Sequence, residues 1–154
     1  MTELTGIEAP FAFFINYGAY GYAKFVVDEL TLANLEKSKL INIEGSMNRK
    51  HLYLILYDMI KSHRIAGSRV LSFMAGNLAE ETAEDVIKYV LQLIPIIIQS
   101  YVPIESVTDY NVKLFKALIA LMESGKFTTT STKQMLINSL FSFCQSEEHR
   151  NMIL

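Results

Sequence analysis

Histidine and cysteine are the side chains that could bind a metal or act as a nucleophile in this sequence, which contains three histidines and one cysteine. A zinc peptidase helix needs a His-Glu-x-x-His segment, because two imidazoles four residues apart bind the metal while the glutamate activates water. His51, His63 and His149 stand in separate segments, and none has a second histidine at helical spacing. We therefore expect solvated or loop histidines, no metal site and no cofactor in this chain.

Cys144 and His149 could be considered as a nucleophile and its base. Five residues of helix separate two side chains by about 500° of rotation, so these two would not share a face. Cys144 follows Phe143 and lies close to Phe141 in the sequence, which favours a small residue of the core. The sequence thus predicts no catalytic residue.

Glycines and threonines supply no clear binding motif. Gly18 and Gly21 are not followed by Lys-Ser or Lys-Thr, and no Gly-x-Gly-x-x-Gly occurs, so we expect these glycines to serve turns. The threonine-rich run at residues 128–132 could be a phosphorylation site. Hydroxyl residues before a helix are commonly caps and turns, and we favour that structural interpretation.

Positive charge is limited and local. Most basic clusters are simply solvated, although a carboxylate-binding role stays open for one group around the predicted turn at residues 65–67. With 14 basic and 16 acidic residues the formal net charge is -2, so the chain offers no obvious source of phosphate neutralisation. We expect no nucleic-acid partner. The basic group consists of Arg49, Lys61, Arg64 and Arg69.

Length and composition indicate one compact domain, since 51% of the 154 residues are hydrophobic and 19% are charged. A chain of this size buries roughly 70% of its unfolded surface and needs no disulfide or metal to hold a core. The longest apolar run, residues 90–98, is broken by Gln92 and Pro95 and is far shorter than the ~20 residues that span a bilayer. The first residues lack the features of a secretory signal. We expect a soluble protein without a membrane span, cytoplasmic by default.

The beginning of the chain reads differently from the rest. Residues 11–15 and 22–27 are rich in aromatic and β-branched side chains and flank a glycine-containing turn, which predicts two short strands. We treat residues 1–28 as this strand-turn-strand lead-in.

Helical patterns follow one another through residues 29–154. The apolar residues of the segment 47–62 occupy nearly every face, which indicates a central helix enclosed by neighbours. Pro95 falls inside a long helix, so we expect a bend before it. The predicted helices cover residues 30–39, 47–62, 68–77, a long segment capped by Thr82 with Asp85, residues 106–123 stopped by Gly125, a segment capped by Ser131 with Gln134, and a last helix from Ser146.

Short connections between successive helices favour antiparallel neighbours. A row of such helix hairpins is the architecture of an α-solenoid of the HEAT or armadillo kind, although no clean sequence repeat of fixed period is present. The predicted fold class is therefore mainly α, an antiparallel helix-hairpin α-solenoid with a short N-terminal pair of β-strands. Residues 1–154 form a single helical domain that we expect to be part of a longer one.

An ordered set of short segments resembles a known family. The residues are Phe13-Phe14-Ile15-Asn16, the segment 21–28 (Gly-Tyr-Ala-Lys-Phe-Val-Val-Asp), Leu32, Leu35, Asn48-Arg49, the segment 56–60 (Leu-Tyr-Asp-Met-Ile) and Ile65-Ala66-Gly67. Together they resemble the first portion of the C-terminal helical domain of the zinc aminopeptidases related to aminopeptidase N. The likeness covers roughly residues 10 to 100 and weakens after about Val102.

The resemblance implies a supporting role in an enzyme that removes N-terminal residues from peptides. In such an enzyme this helical segment leans against the catalytic domain, closes its cavity and helps to accommodate the far end of the peptide. The zinc-binding helix, the catalytic glutamate and the Gly-x-Met-x-Asn segment of the family have no counterpart here. Zinc would then belong to the parent enzyme, and the partner of this chain would be the catalytic domain, in the same polypeptide or in another. This chain alone is expected to be inactive.

The alternative function is a stand-alone α-solenoid adaptor that binds a protein partner or a second copy of itself. The sequence ends on three apolar residues, Met152-Ile153-Leu154. The mean hydropathy of the chain is +0.24, which is high for a protein whose whole surface meets water. A solenoid that stops within its array leaves the last helix pair with an uncovered apolar face. We therefore expect such a face near the carboxyl end, unless these residues dock back on the core.

Overall fold

The structure of the chain is a computed structural model that describes residues 10–144. These residues form six α-helices and two short 3-10 turns. No residue between 10 and 144 belongs to a β-strand, so the predicted mainly α fold is confirmed. The helices are α1 (Glu29–Lys37), α2 (Ser46–Lys61), α3 (Gly67–Leu78), α4 (Glu84–Tyr101), α5 (Ile104–Glu123) and α6 (Thr130–Phe143), and the 3-10 turns are Tyr17–Ala19 and Leu40–Asn42.

The core is built around α4, the most apolar of the helices. It packs against α2 and α3 along much of its length and also touches α6, while α3 packs on α5 and α5 on α6. Burial of a large aliphatic side chain contributes about 1.5–3 kcal/mol each, so this central helix carries much of the hydrophobic stabilisation. Its buried residues are Val86, Ile87, Val90, Leu91, Leu93, Ile94 and Ile97.

Helix α2 was expected to be a central helix enclosed by neighbours, and it packs against α4, α3 and the 3-10 turn Tyr17–Ala19 while one side stays open. Leu54 is 41% exposed and Met47 is 59% exposed, so one side of α2 faces solvent. The apolar residues that are buried, such as Leu52, Leu56 and Ile60, lie on the side that contacts α3 and α4. Single exposed leucines are common on soluble proteins, so an apolar side chain in the sequence pattern does not by itself show that its side of the helix is covered.

Alternate helices are neighbours in this fold. Helices α2, α4 and α6 contact one another in sequence order, and α3 contacts α5. The result is two rows, α2–α4–α6 and α3–α5, which are joined where α3 packs on α4 and α5 packs on α6. Pro95 lies exposed inside α4, which continues on both sides of it, and the bend expected before this residue stays a prediction.

The helix boundaries agree with the sequence patterns, but two predicted caps do not. Helix α4 begins at Glu84 and is not capped by Thr82 with Asp85. Instead the carboxylate of Glu81 accepts hydrogen bonds from the backbone N–H groups of Thr82 (2.8 Å) and Ala83 (2.9 Å). The carboxylate of Glu81 therefore satisfies two backbone N–H groups just before α4, a role that the sequence assigns to the Thr82 hydroxyl.

Helix α6 likewise does not use the predicted pair of Ser131 and Gln134. Gln134 bonds to Asn138 on the same helix, at 3.0 Å. The hydroxyl groups of Thr129 and Thr132 both contact the carboxylate of Glu84 at the start of α4. These hydroxyls join the first turns of two helices, which is a structural role, but they do not cap α6 as the sequence predicts.

The predicted N-terminal strand pair is wrong. Residues 11–15 and 22–27 make no ladder with each other, and the turn between them is occupied by the 3-10 turn Tyr17–Ala19. The segment 11–13 instead bonds to α1, where the amide of Phe13 donates to the Thr31 hydroxyl (3.0 Å) and the Asn34 side chain donates to the carbonyl of Phe11 (2.5 Å). Contacts with a helix have replaced the contacts between strands.

Some expectations fall on residues 1–9 and 145–154, which lie outside the described part. These are the last helix from Ser146, His149 and the apolar end at Met152-Ile153-Leu154. Between residues 10 and 144, no helix is both long and apolar enough to cross a membrane.

Candidate functional site

The N-terminal segment, residues 10–28, is attached to α2 by a small set of polar contacts. Asn16 adopts a left-handed conformation (φ 63°), which asparagine tolerates better than most residues. Its side-chain oxygen accepts from the amide of Gly21 (2.6 Å), and its Nδ2 donates to the Gly21 carbonyl (3.0 Å). The same Nδ2 lies 3.2 Å from Nε2 of His51 on α2. One asparagine therefore closes the turn and holds it against the helix.

Two further contacts hold this segment in place. The amide of Gly18 donates to the side-chain oxygen of Asn48 (2.8 Å), and the amide of Val27 donates to the sulfur of Met59 (3.4 Å). Both acceptors belong to α2, so the segment is held at its middle and at its end. Its path is set by specific bonds even though it forms no regular strand.

The outer side of the N-terminal segment is unusually apolar. Side chains 11, 13, 15 and 17 are exposed, while the intervening positions 12, 14 and 16 are partly covered. Tyr20 and Tyr22 are 95% and 108% exposed and bury almost nothing. Large apolar patches on soluble proteins usually mark interaction sites. We call this group the aromatic surface, and it consists of Phe11, Phe13, Ile15, Tyr17, Tyr20 and Tyr22.

Beneath the aromatic surface lies an apolar cavity of about 370 Å³, between the N-terminal segment, α1 and the 3-10 turn Leu40–Asn42. Ala12, Phe14 and Leu35 line its apolar part, while Lys39 and Asn42 supply polar groups. The amine of Lys39 pairs with Glu80 at 2.5 Å, so its charge is already matched within the chain. The cavity thus shows no unmatched charge that would identify a ligand.

A second, more polar groove of about 420 Å³ runs between α1, α3 and α5. Arg69 dominates it and binds two glutamates of α1, with Nε 2.6 Å from Glu36 and Nη2 2.8 Å from Glu29. Lys61, another member of the predicted basic region, pairs with Asp58 at 2.6 Å. Arg69 and Lys61 therefore bind carboxylates of the chain itself, and the two Arg69 pairs join α1 to α3.

The third member of that region, Arg49, forms a buried ion pair with Glu81. Only 8% and 5% of the two side chains are exposed. The guanidinium donates from Nε and Nη2 to the two carboxylate oxygens at 2.9 and 2.8 Å, and from Nη1 to the carbonyl of Ile43 at 3.0 Å. Because Arg49 lies on α2 and Glu81 precedes α4, the pair connects two helices that are far apart in the sequence.

The environment of Glu81 keeps it ionised. Burial opposes the charge, but the hydrogen bonds from Arg49 and from the backbone amides of Ala83 and Thr82, together with the positive charge, hold the pKa of this carboxyl below its usual value of 4.5. The hydrogen bond to Glu81 likewise raises the pKa of Arg49. Both partners are charged at neutral pH.

We expect this pair to make stability depend on pH. A carboxyl whose pKa is lowered by folding stabilises the native state above its unfolded pKa, and the contribution is lost as the pH falls through the folded pKa. The free energy of unfolding should therefore begin to fall below about pH 4.5, the unfolded value. Urea unfolding at pH 7, 5, 4 and 3 measures it.

The variant Arg49→Met/Glu81→Gln provides the control for this pH dependence. It retains every acidic residue except Glu81, and the arginine that it also loses does not titrate in this range, so its stability should fall less steeply below pH 4.5. Identical slopes for the two proteins would show that Glu81 does not contribute.

The two described histidines and the cysteine differ in how far they are exposed to solvent. His63 is exposed just after α2, as expected. His51 was expected to be a solvated or loop residue, and that is wrong, because it lies partly buried on α2 with its ring edge-on to Phe14 (6.4 Å) and Phe25 (5.9 Å). Cys144 ends α6 and is partly covered by the core, in agreement with its predicted packing role.

Within residues 10–144, no three histidine, cysteine, aspartate or glutamate side chains are grouped closely enough to hold a metal ion. Comparisons of the chain with protein-family models, with curated proteins and with solved structures find no match. The fold and the aromatic surface must be interpreted from the residues themselves.

The sequence patterns did not reveal Asn16 and Glu81, the two residues that organise these contacts. Asn16 stands in the predicted turn next to two glycines, where a left-handed residue is plausible, but its partner His51 is 35 positions away. Glu81 lies 32 positions from Arg49, and nothing in its local sequence indicates a buried partner. An acidic residue directly before a helix start was the one available signal.

Proposed function

We propose that this chain is a non-catalytic helical module that holds a neighbouring protein domain through its aromatic surface. The observation that carries this proposal is that six apolar side chains face solvent from a segment whose path is set by bonds to α2. A surface that is already ordered loses little conformational entropy on binding. Tyrosine and phenylalanine are also the side chains that protein interfaces favour.

The polar character of α6, the last described helix, also supports a neighbour that contacts the N-terminal segment. The face of α6 that is turned from the core carries mainly polar side chains, with Ser131, Gln134, Asn138 and Ser142 around a shallow depression. Polar outer faces are typical of the terminal unit of a helical array. An apolar docking face was expected near the carboxyl end, whereas among residues 10–144 the larger apolar surface lies at the other end.

The contacts between alternate helices favour an α-solenoid arrangement as part of the same proposal. In stacked helix hairpins each helix meets its hairpin partner and the equivalent helix of the next hairpin. Helices α2, α4 and α6 follow that order, as do α3 and α5. Such an array exposes long surfaces to a neighbouring domain, which agrees with a role based on shape.

The sequence resemblance supports one specific neighbour, the catalytic domain of a zinc aminopeptidase. Residues that carry the resemblance lie together in the fold. Asn16 and Val27 of the N-terminal segment bond to α2, and Asn48 and Arg49 are the residues of α2 that anchor Gly18 and Glu81. The resemblance thus falls on residues with positioning roles, as expected of a segment that supports a catalytic domain and contains no reactive groups of its own.

A photo-crosslinking amino acid at position 20 tests the aromatic surface in the source cell, because Tyr20 is 95% exposed. We expect a single dominant adduct at this position and none at position 134 on the polar face of α6. Equal adduct yields at positions 20 and 134 would refute the proposal. Mass spectrometry then identifies the neighbour, which the aminopeptidase form of the proposal requires to contain a His-Glu-x-x-His segment.

The second candidate, a stand-alone adaptor, uses the same surface and differs in the size of the native polypeptide. A native product of 17.5 kDa, the mass of this chain, favours the adaptor. A much longer product that contains this sequence and a His-Glu-x-x-His segment favours the aminopeptidase. In either case the purified chain should release no amino acid from an aminoacyl arylamide, and chelator-sensitive turnover by the pure protein would contradict the non-catalytic role.

A further inference from the structure

His51 is connected to the N-terminal segment by a contact whose donor and acceptor follow from its surroundings. The side chain of Asn16 meets both backbone groups of Gly21, because its oxygen accepts from the amide (2.6 Å) and its Nδ2 donates to the carbonyl (3.0 Å). These two bonds fix which end of the Asn16 side chain is nitrogen. The atom that lies 3.2 Å from Nε2 of His51 is therefore the same Nδ2.

This orientation determines the protonation state of His51 in the structure. An asparagine NH2 group has two hydrogens to donate and accepts none. One hydrogen of Asn16 goes to the Gly21 carbonyl, and the other points to His51. Nε2 of His51 must then be the acceptor, so the ring is neutral and carries its proton on Nδ1. A proton on Nε2 would place two donors against each other, and the hydrogen bond would be lost.

Rotation of the Asn16 amide by half a turn does not remove this conflict. It would offer an oxygen to a protonated His51, but it would also turn that oxygen towards the carbonyl of Gly21. The NH2 group would then face the amide of Gly21, which is also a donor. The mismatch would only move from the histidine to the turn, so protonation of His51 opposes the observed position of the turn in either case.

The surroundings of His51 supply no acceptor for a second proton. Its ring is partly buried and lies edge-on to Phe14 (6.4 Å) and Phe25 (5.9 Å), two side chains without polar atoms. No carboxylate within residues 10–144 forms an ion pair or a hydrogen bond with the ring. Burial without an opposite charge disfavours the charged form of a histidine.

The charged groups near this contact are matched elsewhere or lack a negative charge. The carboxylate of Asp28 accepts from the amide of Thr31 at the start of α1, and Asp58 pairs with Lys61. The 3-10 turn adds one titratable side chain, Tyr17, which is edge-on to Phe14. The charged residues of the N-terminal segment and of α2 are Lys24, Asp28, Arg49, Lys50, Asp58 and Lys61.

We infer that His51 is a pH-sensitive switch, which holds the turn at residues 16–21 on α2 while it is neutral and releases this turn when it takes up a proton. Histidine is the side chain whose charge ordinarily changes between pH 5 and 8. That range lies above the pH at which Glu81 begins to lose its charge, so the two effects are separate. The switch follows from the contacts of His51 alone. Its consequence, that the aromatic surface loses its fixed position at acidic pH, bears on binding only through the proposed function.

NMR of the whole chain tests the switch in two ways. Correlation spectra of the imidazole nitrogens at pH 8 should show the proton of His51 on Nδ1 and none on Nε2. Between pH 8 and pH 5, the exchange protection of the Gly21 amide, relative to its unfolded rate, should fall about fivefold, the effect of losing one net hydrogen bond. A proton on Nε2 at pH 8, or protection of Gly21 that stays constant while His51 becomes charged, would overturn the switch.

Three variants make the result specific. His51→Gln keeps an acceptor that does not titrate, so Gly21 should stay protected down to pH 5. Asn16→Asp replaces the opposing donor with a carboxylate that binds a protonated His51, so protection should increase as the pH falls. Asp, like Asn, tolerates the left-handed conformation at position 16. The control His63→Asn changes an exposed histidine and should leave the response intact. A response of Asn16→Asp with the same sign as that of the unmodified chain would show that the contact of Asn16 with His51 is not the cause.

The neighbour identified by crosslinking at position 20 tests the consequence for binding. Between pH 8 and pH 5, its affinity for the unmodified chain should fall about fivefold more than its affinity for His51→Gln, the same loss of one hydrogen bond. Equal losses would show that the switch does not control binding, even where Gly21 responds as expected. If positions 20 and 134 give equal adducts, the proposed function fails, and the exchange of Gly21 still decides whether His51 is a switch.

Discussion

Replacing Arg49 with methionine is expected to lower the free energy of unfolding by about 3–5 kcal/mol, because the charge of Glu81 would be left in the interior without its partner. Both side chains are buried and share two hydrogen bonds of 2.9 and 2.8 Å. The carboxylate also accepts from the amides that precede α4, so its displacement would disturb the start of the central helix. Urea unfolding at pH 7, followed by circular dichroism, measures the loss.

Arg69→Met is the matched control for this experiment. Arg69 binds the carboxylates of two glutamates, Glu29 and Glu36, but 34% of its side chain is exposed, and ion pairs at the surface contribute only about 0–1 kcal/mol. The double variant Arg49→Met/Glu81→Gln should recover part of the stability, since it removes both charges together. If Arg49→Met and Arg69→Met cost the same, burial is not what makes the Arg49 pair important.

Replacing Gly67 with alanine is expected to destabilise the protein by about 1–3 kcal/mol, the usual cost of forcing an extra methyl group into a packed site. Gly67 is the buried first residue of α3, and a Cβ there would lie 2.7 Å from the carbonyl oxygen of Tyr101 and 2.8 Å from its Cβ. Both atoms belong to the end of α4, and the carbonyl is backbone that cannot rotate away. The two helices would have to move apart.

Gly76→Ala provides the opposite result in the same helix. A Cβ at Gly76 would meet nothing within 4 Å, and alanine is favoured over glycine inside a helix by roughly 0.5–1 kcal/mol. This variant should therefore raise the midpoint of urea unfolding while Gly67→Ala lowers it, with unchanged slopes. A stabilising effect of Gly67→Ala would contradict the close approach of α3 and α4.

The helices themselves could be read from local patterns. The predicted segments 30–39, 47–62, 68–77 and 106–123 agree with α1, α2, α3 and α5 to within a few residues. Apolar periodicity and the stop at Gly125, whose φ is 65°, are signals carried by neighbouring residues. The predicted caps of α4 and α6 are not formed, and the carboxylates of Glu81 and Glu84, which a local spacing rule does not select, make the contacts at these helix starts instead.

The strand prediction shows why a local signal can be insufficient. Residues 11–15 and 22–27 have strand composition, and exposure alternates over residues 11–15, yet a strand exists only when a second strand supplies its hydrogen bonds. In the described part of the chain, α1 and α2 take up the available contacts. Sequence composition predicted a tendency to form strands, and the availability of a partner decided the outcome.

By itself, the sequence determined that this protein is mainly helical and where most helices begin and end, because helix formation depends on residues three and four positions apart. The tertiary structure alone decided that Arg49 meets Glu81 across 32 positions, that Gly67 must be small, and that the side chains of the aromatic surface face solvent. Such long-range contacts depend on how whole helices pack, which no short stretch of sequence encodes.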